Sequence, residues 1–151
     1  MTKQYQNQQL MATLPTLYCT VGLPFSGKEE WAACQGLPVV SLAANEVVMN
    51  NSSGKTTPKS KTAPDPLAFT RQLIECLFAA GNKVVILLAE NLTEQERQYW
   101  QDEAGASWQT VFREFQISEK EALRKATAAG ASKQELSRIR ELSKKIETLT
   151  P

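Results

Sequence analysis

Hydrophobic and polar positions alternate along this chain between two periods. Leu17–Val21 is a short apolar run closed by Gly22, the pattern of a buried strand. Glu29–Cys34 reads as a short helix with Gly36 as its stop, and "LPVVSLAA", Leu37–Ala44, as a second strand. "NNSSGKTTPKSKTAPDP", Asn50–Pro66, has no periodicity and is rich in Ser, Thr, Pro and Lys, so it reads as a long mobile loop. Asp65-Pro66 then opens a helix, with Pro66 suited to its first turn. Phe69, Leu73, Ile74, Leu77 and Phe78 recur at helical spacing up to Gly81 and face a core. "KVVILLA", Lys83–Ala89, is continuously apolar and β-branched, as in a parallel strand covered on both faces.

Thr93-Glu-Gln-Glu96 is a capping box, and the helix it opens runs to about Ala104, before Gly105. Ser107–Phe115 alternates Trp108, Thr110 and Phe112 with polar residues and predicts a further strand. Ser118-Glu-Lys-Glu121 and Ser132-Lys-Gln-Glu135 are two more capping boxes, with Gly130 as a stop between them. Leu136, Ile139, Leu142, Ile146 and Leu149 form an apolar stripe on the last, otherwise charged, helix. Such a stripe packs on its own domain, or serves a protein partner or self-association through the 132–149 helix. The alternation of strands and helices predicts an α/β fold around a small, mostly parallel sheet. The expected organisation is a flexible segment over 1–15, an α/β domain over 16–131 with the mobile loop 50–66, and a C-terminal amphipathic helix over 132–151.

Composition narrows the chemistry. The chain has 151 residues, enough to bury a sizeable core in one domain. A net charge of +1 gives no general attraction to nucleic acid or membrane. There is no histidine, which excludes Ser-His and Cys-His nucleophiles and histidine acid–base chemistry. Three scattered cysteines, Cys19, Cys34 and Cys76, fall short of a zinc ligand set and are expected to be buried or idle in a reducing compartment. The polar, Gln-rich N-terminus lacks the apolar core of a signal peptide, and no apolar run approaches a membrane span. A cytoplasmic protein is the expectation.

The stretch with chemical content is "LYCTVGLPFSGKEEWAACQG", Leu17–Gly36. It holds G-x-x-x-x-G-K between the first strand and the first helix, the context that gives the pattern meaning. The glycines let the backbone curl so that successive N–H groups point inward. The helix N-terminus adds partial positive charge and Lys28 a full one. Gly22, Ser26, Gly27, Lys28 and Glu29 are therefore the candidate nucleotide-binding residues.

"GLPFSGKEEWA" resembles the G-x-P-x-S-G-K-S-T-W-A stretch of polynucleotide-kinase-like P-loop kinases. "KVVILLAENLTEQERQYW" is similar to that family's strand ending in Asp-Thr-Asn-Leu and the helix after it, through Asn91, Leu92, Arg97 and Trp100, and "WQTVFREF" resembles its next strand. The likeness spans roughly 17–129. It implies a P-loop NTPase-type three-layer sandwich with a C-terminal helical tail, and ATP or another nucleotide as ligand.

The departures from the family pattern are chemical. Where the family has a metal-binding Ser or Thr after the lysine, this chain has Glu29, and the family's strand-end Asp falls on Ala89. The catalytic Asp and phosphate-holding Arg expected after the second strand fall near Ala43 and Glu46. Of the lid arginines, Arg124 and Lys125 remain, with Ala128 and Ala129 nearer the glycine. Phosphoryl transfer depends on these positioned charges, so the resemblance implies a degenerate, pseudokinase-like protein. It would retain at most nucleotide or phosphate binding, hold Mg²⁺ weakly or not at all, and act through protein interactions. Three alternatives stay open. One is an active phosphotransferase in which Glu29, Glu30 or Glu90 serves the metal. A second is a nucleic-acid-binding module using Lys55, Lys59, Lys61, Lys144 and Lys145. The third is an unrelated α/β domain. Trp31, Trp100 and Trp108 are expected in the core, and Asn91 and Arg97 near the site or serving as a cap and a surface ion pair.

Overall fold

The computed structural model describes residues 14–52 and 65–146, with side chains of 14–49 and 65–146. Residues 1–13 of the expected N-terminal segment 1–15, the lysines Lys55, Lys59 and Lys61 of the predicted loop, and Leu149 lie outside the described residues. The elements run β1 (Thr16–Val21), α1 (Lys28–Cys34), β2 (Val39–Ser41), α2 (Leu42–Ser52), α3 (Pro66–Ala79), β3 (Val84–Leu88), α4 (Glu94–Ala104), β4 (Gln109–Glu114), α5 (Glu119–Ala128) and α6 (Lys133–Lys144).

The four strands form one sheet in the order β2-β3-β1-β4, and every pairing among them is parallel. In register, Leu17 lies beside Val85 and Thr110, and Cys19 beside Leu87 and Phe112. That face carries the main core: Leu17, Cys19, Val85 and Leu87 pack against Ile74 of α3 and Trp100 and Ala104 of α4, with Trp108 at the edge. Tyr18, Ile86, Val39 and Val111 lie side by side on the opposite face. The helix that follows β1 lies on that face, because β1 connects leftward to β2 and right-handed crossovers then put α1 opposite α3 and α4. This gives three layers, one of them a single seven-residue helix. The thin cover leaves Val39 and Val111 each 40% exposed.

A second apolar cluster sits beyond the carboxyl ends of the strands. Leu23 and Leu92 meet Ala122 and Ala126 of α5 and Ile139 of α6, with Phe25, Leu136 and Leu142 packed around them. The stripe on the last helix is therefore seated on this domain through Leu136, Ile139 and Leu142, while Ile146 stays 48% exposed.

Local chemistry sets the helix starts. Asp65 caps α3, its carboxylate accepting from the Leu67 N–H at 3.2 Å, with Pro66 in the first turn. Thr93 and Ser118 accept from the N–H groups of Glu96 and Glu121. The reciprocal box closes fully at α6, where the Glu135 carboxylate also accepts from the Ser132 N–H.

Two expectations need correction, on the second strand and on Trp31. The second strand spans 39–41 rather than 37–44, and Leu42–Ala44 form the first turn of α2. That helix takes in the last three residues of the predicted strand and carries the chain through Asn50 to Ser52, the start of the predicted loop. Ser41 ends the strand because its hydroxyl accepts from the Ala44 N–H at 3.2 Å, a helix cap. Of the cysteines only Cys19 is buried, its thiol pushed up by burial, while Cys34 and Cys76 are exposed. Trp100 and Trp108 are buried, but Trp31 is half-buried, in edge contact with Tyr18 and tilted against Phe115 with the Arg113 guanidinium above it.

Candidate functional site at the carboxyl end of the sheet

Neighbouring strands β1 and β3 send their following helices to opposite faces of the sheet. A parallel sheet opens a crevice at such a point, outside the carboxyl ends of its strands. Here the crevice is framed by Gly22–Lys28 after β1 and Glu90–Asn91 after β3.

The base of the crevice is a hydrogen-bonded brace. Thr20 Oγ1 donates to the Ala89 carbonyl at 2.7 Å and accepts from the Ala89 N–H at 3.0 Å, holding the two strand ends together as they part. Gly22 N–H donates to the Glu90 carbonyl at 2.9 Å. Asn91 is buried with φ 48°, a left-handed conformation that asparagine tolerates better than most residues. Its Nδ2 donates to the Thr20 carbonyl at 3.0 Å, and its own carbonyl accepts from Arg97 Nη1 at 2.9 Å. Arg97 is buried, so through this bond it braces the crevice from beneath rather than lying on the surface. The cap of α4 is Thr93, not Asn91.

The Gly22–Lys28 loop joins β1 directly to α1. A β-carbon on Gly22 would stand 2.8 Å from both the Phe115 carbonyl and Ser26 Oγ, so only glycine fits this crossing. Phe25 at φ 68° and Gly27 at φ 99° are left-handed, with Ser26 between them. Alternating handedness of this kind curls the backbone into a concave turn, closed on one side by the Ser26 N–H donating to the Leu23 carbonyl at 3.2 Å. A phenylalanine in this region is strained by about 1–2 kcal/mol, and the packing of its ring beside Leu23 and Leu92 holds it there. Gly27 is the N-cap of α1 and no side chain caps the helix. The first N–H groups of α1 are thus left for an external acceptor. Ser26 Oγ is buried without a hydrogen-bond partner among the described residues.

Lys28 is 3% exposed. Its ammonium donates to the Leu23 carbonyl at 3.1 Å and lies 3.5 Å from a Glu29 carboxylate oxygen, with the Glu29 side chain 50% exposed. The loop therefore brings Gly22, Ser26, Gly27, Lys28 and Glu29 together in one turn, with the cation folded back across it.

Other charges enter from distant elements. Glu90 pairs with Arg138 of α6 at 3.0 Å. Glu46 of α2 has its carboxyl pushed above the ordinary range by burial and by Glu90, with Arg138 opposing and Glu96 adding to the rise. Glu46, Glu90 and Arg138 thus share one edge of the crevice. The pairing of Arg138 across 48 residues leaves no signature in the sequence. By contrast Arg124 is turned to Glu121 on the exposed surface of α5, and Ala89, buried just past the end of β3, has no polar side-chain atom.

A cavity of about 520 Å³ opens beside the loop, lined by Gly22, Leu23, Leu92 and the segment from Glu114 to Ser118.

Several solved structures share this architecture. One is a chain of the Pnkp1/Rnl/Hen1 RNA repair complex, with TM-score 0.68 and 16% identity over 87% of this chain and 44% of that one. The fold is P-loop kinase-like. A protein described as a kinase from Chloroflexus aurantiacus matches with TM-score 0.58 and 17% identity, over 84% of this chain and 75% of that one. A gluconokinase from Sinorhizobium meliloti matches with TM-score 0.54 and 20% identity, over 89% and 77%. The chain spans less than half the length of the first of these. At such identities the likeness is one of fold. No protein-family model matches the chain, and no curated protein matches it. Among the described residues no helix is long and apolar enough to cross a membrane.

Proposed function

We propose that this is a kinase-like domain that has lost phosphoryl transfer, keeps a cradle for the phosphates of a nucleotide, and acts through what it holds and what it touches. The observation that carries the reading is the state of Lys28. Its charge is met inside the loop by the Leu23 carbonyl and the Glu29 carboxylate. A phosphate entering the loop would meet Glu29 as a like charge. At about 4 Å and an effective dielectric of about 20 that repulsion is roughly 4 kcal/mol before solvent screening. Binding would be weak, and its support is the first N–H groups of α1, which no side chain caps.

The loop fits the phosphates of a nucleotide; the donors around it do not fit Mg²⁺ in the manner of the family. Glu29 stands where a hydroxyl would reach the metal and is turned to Lys28, and Ala89 carries no ligand atom. Protein contact is supported by apolar side chains left outside, above all Val47 and Val48 of α2 at 58% and 59% exposure. Melting-temperature shifts on adding ATP, with and without Mg²⁺, test the cradle: a shift without Mg²⁺ supports it, and no shift with any nucleotide removes it.

A second reading, an active phosphotransferase, is favoured by one observation. Glu46, raised above the ordinary carboxylate range beside Glu90 and Arg138, has the character of a general base at the crevice edge. Transfer of labelled γ-phosphate to a 5′-hydroxyl oligonucleotide would establish this reading and exclude the first.

A further inference from the structure

We propose that the open edge of β4 pairs with the same edge of a second copy of this chain, antiparallel about a two-fold axis at Phe112, and joins the two four-stranded sheets into one.

The sheet has two edges, and they differ. β2 spans three residues, and so short an edge offers little to pair with. β4 spans six, in unbroken register with β1 from Gln109 to Glu114, without a proline, a lysine or a bulge to blunt it. Gln109, Val111, Arg113 and Glu114 are exposed. The bonds to β1 decide which backbone groups are left over. Gln109 N–H donates to the Pro15 carbonyl at 2.8 Å, and Phe115 N–H to the Val21 carbonyl at 2.7 Å. In a parallel pair the residues bonded to the neighbour alternate along the strand. Gln109, Val111, Arg113 and Phe115 therefore turn N–H and C=O toward β1, while Thr110, Phe112 and Glu114 turn theirs outward. Among the described residues no strand pairs with that side.

The outward groups fix the register of a symmetric pair. Antiparallel neighbours that exchange both backbone bonds must come from positions 110, 112 and 114. An axis at Phe112 uses all three: Phe112 meets its own counterpart, and Thr110 of each copy meets Glu114 of the other. With the axis perpendicular to the sheet, the two core faces lie on the same side. There Phe112, part-buried in one copy, gains an aromatic cross-strand neighbour. The Thr110 hydroxyl, buried without a hydrogen-bond partner among the described residues, gains the Glu114 carboxylate as a cross-strand neighbour. On the other face Val111, 40% exposed, meets Arg113 of the second copy. That guanidinium lies 5.0 Å from the Trp31 ring and 5.2 Å from the Phe115 ring, and its apolar stem covers the valine. No like charges stand directly opposite, and a net charge of +1 per chain adds little repulsion. One pair of strands buries less than the roughly 1,200 Å² of a standard interface, so the dimer is weak and concentration-dependent.

The test is sedimentation analysis of the full chain from about 5 µM to about 0.5 mM, a range that populates any dimer of sub-millimolar Kd. It is run on the natural sequence, Val111→Lys and Val111→Glu, with amide hydrogen exchange on the natural protein at both ends of the range. The expected mass rises from 16.8 kDa toward twice that. The Thr110, Phe112 and Glu114 amides should exchange more slowly at high concentration. Lysine at 111 stands opposite Arg113 twice by symmetry, and glutamate at 111 does so with opposite sign. Val111→Lys should weaken the dimer by about tenfold, and Val111→Glu should dimerise about fivefold or more tighter than Val111→Lys. Circular dichroism confirms that both variants are folded, and the exchange measurement needs neither. A chain still monomeric at the highest concentration would overturn the proposal and leave the edge to a strand of another protein. A dimer of equal affinity in both variants would overturn it too. So would a dimer whose Thr110, Phe112 and Glu114 amides exchange as in the monomer, since the contact would then lie elsewhere, as on the Val47 and Val48 face.

Discussion

Replacing Glu29 with serine isolates the charge that sets the loop apart. Glu29 neutralises Lys28 at 3.5 Å and stands where a bound phosphate would feel it. The unscreened repulsion is roughly 4 kcal/mol at 4 Å and an effective dielectric of about 20. Because the Glu29 side chain is 50% exposed, solvent and salt reduce this to about 1–2 kcal/mol. Removing the carboxylate should therefore tighten pyrophosphate or nucleotide diphosphate binding by about 5–30-fold. The same change removes an acid from the first turn of α1, costing about 0.3–1 kcal/mol of stability. The two effects are read separately, by titration calorimetry and by urea denaturation. The gain in affinity should shrink at about 0.5 M salt, where the screening length falls to a few ångströms. An unchanged affinity at low salt would refute the electrostatic argument, because the lysine would then have been free for phosphate all along.

Other substitutions test the frame around the loop. Gly22→Ala puts a methyl 2.8 Å from the Phe115 carbonyl and Ser26 Oγ, so it should cost about 1–3 kcal/mol in denaturant unfolding and weaken anion binding; a neutral change would mean the loop is looser than this crossing implies. Asn91→Ala leaves the Thr20 carbonyl without its side-chain donor and forces alanine into φ 48°, for a loss of about 1–3 kcal/mol. Glu46→Gln probes the crevice edge through pH. The folded state raises the Glu46 carboxyl above its ordinary 4.5, so in the natural protein this group lowers stability as pH rises from about that value through the raised one. The glutamine variant should melt higher than the natural protein at neutral pH, with the gap closing as pH falls below the ordinary carboxylate range. A gap independent of pH would show that Glu46 is not held in that environment.

Much of this fold could be read from periodicity and caps because those signals are local. The apolar runs of β1 and β3 are buried on both faces, and Thr93, Ser118 and Ser132 mark helix starts by accepting from residues three further on. What escaped reading depended on contacts far apart in the chain. α2 has no apolar stripe, since its valines at 47 and 48 point outward and its anchoring hydrogen bond runs from Asn45 to Thr70 of α3. Ser41 carried the signal for its start, but the preceding valines made the stretch resemble a longer strand. Arg97 gave no sign of being a buried brace, because a bond to a backbone carbonyl leaves no side-chain signature in the sequence. At the site, the loop itself was legible as glycines and a lysine in order. The folded-back ammonium of Lys28, and Arg138 reaching Glu90, required the packing of α5 and α6 over Leu23 and Phe25.

The most direct measurement is calorimetric titration of the natural protein with ATP, first in EDTA and then in excess Mg²⁺. A loop of amides and one lysine, without metal ligands of its own, should bind ATP in EDTA and gain nothing from Mg²⁺. Binding that appears only with Mg²⁺, or none under either condition, would contradict the account.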